Sequence, residues 1–410
     1  MVKQQCDRVA GLDVHRDTVV ACVRLGRGDE PELHRKSFPT TTAGVAQLAA
    51  WMADLEVIRV VMESTGVYWK CVYYPLEGLF GELWLVNAGH VKNVPGRKTD
   101  VADAEWLADV AAHGMVRPSF VPPPPVRELR ELTRYRKTQI VVRAQEIQRL
   151  DKVLQDAGIK ISSVASQVLG VSTRAMIEAL IAGERDPAVL ADKALARMRR
   201  KIPALTEALV GRFAAHHGAV ARAILDHIDF LDAAIARLDE QVATRLEPFR
   251  AAVTLLETIP GVGTKVAETI VAETGADMAR FPSAAHLCAW AGVAPANHES
   301  AGKRRPAGTR QGASWLRRAL IESAKAASRT KGTYLAAQYR QIAFRRGPNK
   351  ATVAVAHSIL FAAWHMLSTG QVYDDLGPDH FARRNTETET RRLVKRLESL
   401  GHSVTLTPAA

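Results

Sequence analysis

Apolar and polar positions change their rhythm twice along this chain. Residues 8–25, RVAGLDVHRDTVVACVRL, hold two short β-branched runs around the polar turn His15-Arg16-Asp17, a strand-turn-strand signal. A helical pattern over Val45–Leu55 follows, then the apolar run Val57–Met62, a helical stretch near Tyr68–Phe80 and the short run Leu83–Val86. Asp100–His113 sets Val101, Ala104, Leu107, Ala108 and Ala111 at helical spacing without Gly or Pro. Strands alternating with helices predict an α/β layer for residues 1–121.

Beyond residue 121 the rhythm becomes helical. The run Pro122–Pro125 predicts a stiff, extended spacer. After it Val126, Leu129, Leu132, Thr133, Arg136, Ile140, Arg143, Ile147, Leu150 and Leu154 step by three and four, a long amphipathic helix. A second spans about Ala219–Leu246, with Ile224, Ile228, Leu231, Ile235, Leu238 and Val242 on one stripe. The two suit an antiparallel or intermolecular coiled coil, or an intramolecular bundle. Between them, residues 160–215 read as short helices broken at Gly170, Gly183, Pro187 and Pro203.

From Leu255, LLETIPGVGTKVAETIVAETG reads as a helix-hairpin-helix. Gly261 and Gly263 would let backbone amides approach a phosphate, with Lys265 beside them; the same pattern also fits an ordinary tight turn between core helices. The chain turns polar after residue 373, with a peripheral helix expected over Arg391–Leu400. The expected domains are therefore 1–121, 122–250, 251–372 and 373–410.

Charge sharpens this outline. With 47% hydrophobic residues the chain is not disordered, and 55 Lys and Arg against 43 Asp and Glu give a net charge of +12. Residues 296–350 carry thirteen basic side chains and two acidic ones, Glu299 and Glu322, so almost the whole excess sits there. A local excess of this size suits a surface that neutralises phosphates, and Lys303, Arg304, Arg305, Arg310, Arg317 and Arg318 are its candidates for nucleic-acid contact. The four cysteines have neither zinc-site nor disulfide-framework spacing. The N-terminus lacks an apolar signal core, and no run reaches the roughly 18 uninterrupted apolar residues of a membrane span. The expectation is a soluble, cytoplasmic, nucleoid-associated protein without a membrane partner.

Four carboxylates draw attention. Asp13 sits inside an apolar strand, where burial is costly without a partner. Glu63 follows VIRVVM at a strand end, and Asp100 and Asp103 share a face at a helix start. Singly, a helix cap or a first-turn acid explains the last two. Together the four supply hard oxygen donors for Mg2+ or Mn2+, and two such ions about 4 Å apart stabilise both oxygens of a phosphoryl transfer.

These residues lie within GLDVHRD, VVMESTGVYW and NVPGRKTDVADAEWLA; then come TIPGVGTKVAETIVAETG, RFPSAAHLCAWAGVAP, ESAGKRR and WLRRALIESA. In this order, over nearly the whole chain, they resemble the Asp-Glu-Asp-Asp transposases of the insertion-sequence 110 family. The resemblance implies an α/β N-terminal RNase H-like domain similar to RuvC resolvases, with Asp13, Glu63, Asp100 and Asp103 as its metal-binding catalytic tetrad. After the expected helical coiled-coil middle, it implies a C-terminal transposase domain, expected to be mostly α, whose nucleophilic serine matches Ser300. It also implies donor and target DNA as substrates, a structured noncoding guide RNA encoded by the element, and a homo-oligomer.

Lys303, Arg304 and Arg305 stand close enough in sequence to hold a phosphate against Ser300, although Ser314, Ser323 and Ser328 share the basic segment. His298 could shuttle a proton, and Ser64, Thr65 and Lys98 could orient the tetrad, but all also suit solvated loops. Gly302-Lys303 is not a P-loop, because the upstream Gly and following Ser or Thr are absent. The expected activity is strand exchange by a composite site with tetrad and serine from different domains. The alternatives are a junction nuclease using metal and water only, or a non-catalytic nucleic-acid-binding scaffold.

Overall fold

The computed structural model describes residues 4–28, 30–64, 66–87, 89, 103–296, 299–300, 303–304, 308–309, 312–381 and 386–407. They fall into two compact units, Met1–Val121 and Pro122–Ala410.

In the first unit β1 (Arg8–Val14), β2 (Thr18–Leu25), β3 (Glu32–Pro39), β4 (Arg59–Glu63) and β5 (Glu82–Val86) form one sheet in the order β3-β2-β1-β4-β5. β1, β2 and β3 are antiparallel neighbours, whereas β4 runs parallel to β1 and β5. The two-residue period of the strands divides their side chains between two cores. Ala10, Leu12, Val14, Val60 and Met62 meet Leu48 and Met52 of α1 (Thr42–Asp54) and Val72 and Leu76 of α2 (Trp69–Leu76). On the other face Val9, Val61 and Val86 meet Leu107, Ala108 and Ala111 of α3 (Asp103–Ala112).

β3 has no counterpart in the sequence pattern. Its sequence ELHRKSFP buries Phe38 alone, because an edge strand half-exposed to water needs no apolar alternation.

The second unit opens with α4 (Pro124–Asp156). The expected proline spacer is corrected here: Pro123 is the N-cap and Pro124 and Pro125 form the first turn, where their missing N–H groups have no helical partner to lose. α5 (Ile161–Val164), α6 (Val171–Ile181), α7 (Pro187–Asp192) and α8 (Ile202–Ala208) follow, and then α9 (Ala215–Leu246) returns along α4. Arg136–Asp239 at 2.9 Å, Arg143–Asp232 and Arg245–Glu128 at 3.3 Å fix this antiparallel register. The two long amphipathic helices are thus partners within one chain. At the far end of the hairpin Leu150, Leu154, Ala221 and Leu225 share a core with α6 and α7.

A helical bundle completes the unit: α10 (Arg250–Glu257), α11 (Thr264–Thr274), α12 (Ala284–Trp290), α13 (Ser314–Ala327), α14 (Tyr334–Arg346) and α15 (Pro348–Thr369), followed by α16 (Thr386–Ser399). Among the described residues α15 alone is long and apolar enough to cross a membrane. It packs instead against α12, α13 and α14, burying Val355, Ile359, Leu360 and Ala363.

Candidate functional site

Asp13 and Glu63 occupy the same level of neighbouring parallel strands. Leu12 is the register partner of Met62, so the next residue on each strand is one of the two carboxylates, at the strand spacing of about 4.8 Å. Both lie on the sheet face that α3 covers, because Leu12 and Met62 point the other way into the α1/α2 core. α3 rests directly on Gly11, where an added Cβ would collide with the Ala104 carbonyl oxygen and come within 2.6 Å of the Ala108 nitrogen. Asp103, first residue of α3, therefore lies beside the Asp13 end of β1, with its Oδ1 buried.

Asp13 is three-quarters buried and has His15 Nε2 at 3.2 Å from its Oδ2. The signal for His15 in the sequence is its place two residues after Asp13 in GLDVHRD. On the other side of Glu63, the Ser64 amide donates to the Val86 carbonyl at 2.9 Å and extends the β4/β5 ladder. Asp100, Thr65, Lys98, His298, Arg305 and Arg310 lie outside the described residues. Among the described residues no group of three or more His, Cys, Asp or Glu is close enough to hold a metal ion. The donor chemistry nevertheless suits a hard cation, since Asp13, Glu63 and Asp103 all offer carboxylate oxygen. A hollow of about 810 Å³ in this unit lies elsewhere: Arg24, Asp109 and His113 line it at the opposite end of β1 and β2.

In the second unit Ser300 belongs to a short hairpin. Pro295 bridges Thr309, the Ala296 amide donates to the Gly308 carbonyl, and Glu299–Ser300 pairs antiparallel with Lys303–Arg304. The backbone of Lys303 therefore stands opposite that of Ser300. Arg317 on α13 pins the returning arm, its guanidinium donating to Thr309 Oγ1 at 2.8 Å.

The Ile259–Gly263 turn uses its glycines differently. Gly261 has φ of +85° and packs backbone to backbone on α13: an added Cβ would lie 2.5 Å from the Ala327 nitrogen. Ser323 Oγ donates to the Gly261 carbonyl at 2.9 Å. Lys265 pairs with Asp239 at 2.6 Å and Glu268 at 3.4 Å. Gly261 and Lys265 thus have packing and pairing roles inside the protein, while a Cβ on Gly263 would face open space. Burial pushes the Asp239 carboxyl up, but Lys265 and Arg136 outweigh it and hold the group below the ordinary carboxylate range.

A groove of about 560 Å³ runs between α4, α11 and α13. In it the Arg134 and Arg318 guanidiniums lie 5.9 Å and 6.0 Å from the Trp315 ring, a cation–π arrangement that interleaves aromatic and basic groups. Arg134 is also held by Glu273, whereas Arg318 is exposed.

Comparison with known proteins agrees in both units. Residues 10–159 match the model of the Asp-Glu-Asp-Asp transposases of IS110 type, and residues 253–340 match that of the transposase IS116/IS110/IS902 family. A relative from Pseudomonas aeruginosa described as a probable family 20 transposase is 25% identical over 335 residues, covering 80% of this chain and 89% of its own length. The two matched blocks together span more than half of the sequence and hold the strands of Asp13 and Glu63 as well as the hairpin of Ser300, and the chain accordingly belongs to the IS110 family of DNA transposases.

Proposed function

We propose that this transposase exchanges DNA strands with two sets of groups. Asp13, Glu63, Asp100 and Asp103 hold a divalent cation, and the hydroxyl of Ser300 is the nucleophile. One observation carries the reading: Asp13 and Glu63 end adjacent parallel strands in register, on the face where α3 begins with Asp103. The mixed sheet, three antiparallel strands continuing into two parallel ones with helices on both faces, supports an RNase H-like, RuvC-type assignment for residues 1–121.

Mg2+ or Mn2+ bound by these carboxylates supplies charge stabilisation to the attacking and leaving oxygens of a phosphodiester. His15, 3.2 Å from Asp13, fixes that carboxylate's orientation. Ser300 Oγ attacks phosphorus and the leaving strand departs as its hydroxyl, so the phosphoserine bond conserves the energy needed for rejoining. Lys303, Arg304 and Arg305, in the same hairpin sequence, hold the phosphate. The basic segment 296–350 supports nucleic acid as the partner, both as donor and target DNA and as an element-encoded guide RNA. The active form is a homo-oligomer.

The test is a trapped adduct. Protein purified with its co-purifying RNA is incubated with Mg2+ and the DNA sites that RNA pairs with, then denatured. Wild type should leave a covalent protein–DNA species that Ser300→Ala abolishes together with exchange. Strand cleavage by Ser300→Ala at the wild-type rate, with no adduct from either protein, would favour the water-using nuclease. Exchange unaffected by Asp13→Asn or Glu63→Gln would remove the carboxylates from the chemistry.

A further inference from the structure

The basic segment ends at a corner of the bundle that the proposed chemistry does not use. There α14 stops at Arg346, Gly347 turns the chain with φ of +85°, and α15 starts at Pro348. Phe344, on the last turn of α14, is 93% exposed, and none of the described large apolar side chains is more so. Around it Arg340 stands one helical turn back, Arg345 and Arg346 follow directly, and Lys350 lies in the first turn of α15; all four are exposed. Residues 340–350 include no Asp or Glu. Among the described residues none of the four cations has a carboxylate partner, and Arg345 Nε donates only to the Gln341 carbonyl at 3.4 Å.

Helix polarity accounts for part of this. Cations at the C-terminus of α14 complement its dipole, which explains Arg345 and Arg346. It explains neither Lys350, at the start of the next helix where a cation is disfavoured, nor a phenyl ring left in water. Covering that ring would remove its apolar surface from water, a favourable change that the fold leaves unused. An apolar ring among unpaired cations fits one class of partner well: apolar wedges insert between or stack on bases while Lys and Arg hold the flanking phosphates. An apolar protein surface would leave the four cations unmatched.

We propose that the α14–α15 corner is a DNA-contacting wedge, in which Phe344 stacks on bases unstacked during strand exchange and Arg340, Arg345, Arg346 and Lys350 hold the adjoining phosphates. The inference rests on the chain's being a DNA transposase and is independent of Ser300 and the carboxylates. Phe344, Arg345, Arg346 and Lys350 follow directly on the matched residues 253–340, of which Arg340 is the last.

The test uses full-length protein and a DNA duplex with a short unpaired bulge, carrying 2-aminopurine beside the bulge. Wild-type binding should change the 2-aminopurine fluorescence. Phe344→Ala should lose the change and weaken binding about tenfold, while Phe344→Trp restores both. Arg345→Gln with Arg346→Gln should keep the signal at saturation but flatten the dependence of affinity on salt. Phe344 makes so little contact with the fold that Phe344→Ala should melt like wild type. An equal fluorescence change and affinity in Phe344→Ala and wild type overturns the wedge. So does a Phe344→Ala effect on oligomeric state alone, read by sedimentation, which would make the ring a protein contact. Failure of wild type to bind any DNA would instead strike the underlying transposase reading.

Discussion

Gly11 lies directly beneath Ala104, with no room for a β-carbon between strand β1 and helix α3. This contact sets the height of α3 over the sheet and so the place of Asp103 relative to Asp13. Gly11→Ala should force the helix away from its backbone neighbours and destabilise the first unit by about 1–3 kcal/mol. Thermal unfolding followed by circular dichroism checks the stability, and strand exchange should be lost even below the melting transition. An unchanged melting temperature would mean that α3 is free to slide.

That relationship was half legible in the sequence. The period of two in GLDV and the apolar run before Glu63 put both carboxylates on strands, and spacing put Asp103 on a helix. What joined them was the register of β1 on β4 and a glycine acting as a seat, and both depend on contacts between residues distant in sequence. β3 stayed hidden because edge strands need no apolar face. The prolines misled because a spacer and a helix N-terminus share composition, and only the turn after Pro123 distinguishes them. In the second unit the three-four stepping revealed α4 and α9, but not what holds α11. Glu268 and Glu273 are buried there, and nothing local in the sequence marks their partners Arg136 and Arg134, which lie over a hundred residues away.

Glu273 gives the second prediction. Its side chain is 1% exposed, and Arg134 grips both oxygens at 2.7 and 2.8 Å, with Arg130 Nε at 3.5 Å. Glu273→Ala leaves two guanidiniums without their buried counter-charge, which costs about 3–5 kcal/mol. Denaturant unfolding of the variant should show a much lower midpoint. Exposed Glu322, paired with Lys137 at 3.1 Å, offers the contrast: Glu322→Ala should cost less than about 1 kcal/mol.

Acid should loosen the same junction. Asp239 is ionised at a pH below the ordinary carboxylate range because Lys265 and Arg136 overcome its burial, and Asp229 is held low by the Arg174 guanidinium. A carboxyl whose folded pKa lies below its unfolded one contributes stability above the unfolded value and loses it as pH falls through the folded one. The melting temperature should therefore fall as pH drops through and below the usual Asp range. Asp239→Asn should flatten that fall and lower the melting temperature at neutral pH. A variant with the wild-type pH profile would show that Asp239 adds nothing to acid sensitivity.

Cysteine chemistry reports on the seat of α3 independently. Cys71 is exposed, whereas Cys6, Cys22 and Cys288 are buried. Burial pushes the Cys22 thiol up to about 11 and Cys288 up to about 12, so at neutral pH neither offers appreciable thiolate. A thiol reagent should label Cys71 quickly and leave the other three until the chain unfolds, as mass spectrometry of the labelled protein would show. Cys22 is the register partner of Gly11, and its face of the sheet is the one α3 covers. If Gly11→Ala lifts the helix, Cys22 should become reactive under native conditions while Cys288, in the other unit, stays protected. Labelling of both at one rate would indicate global unfolding, and labelling of neither would mean that α3 keeps its seat.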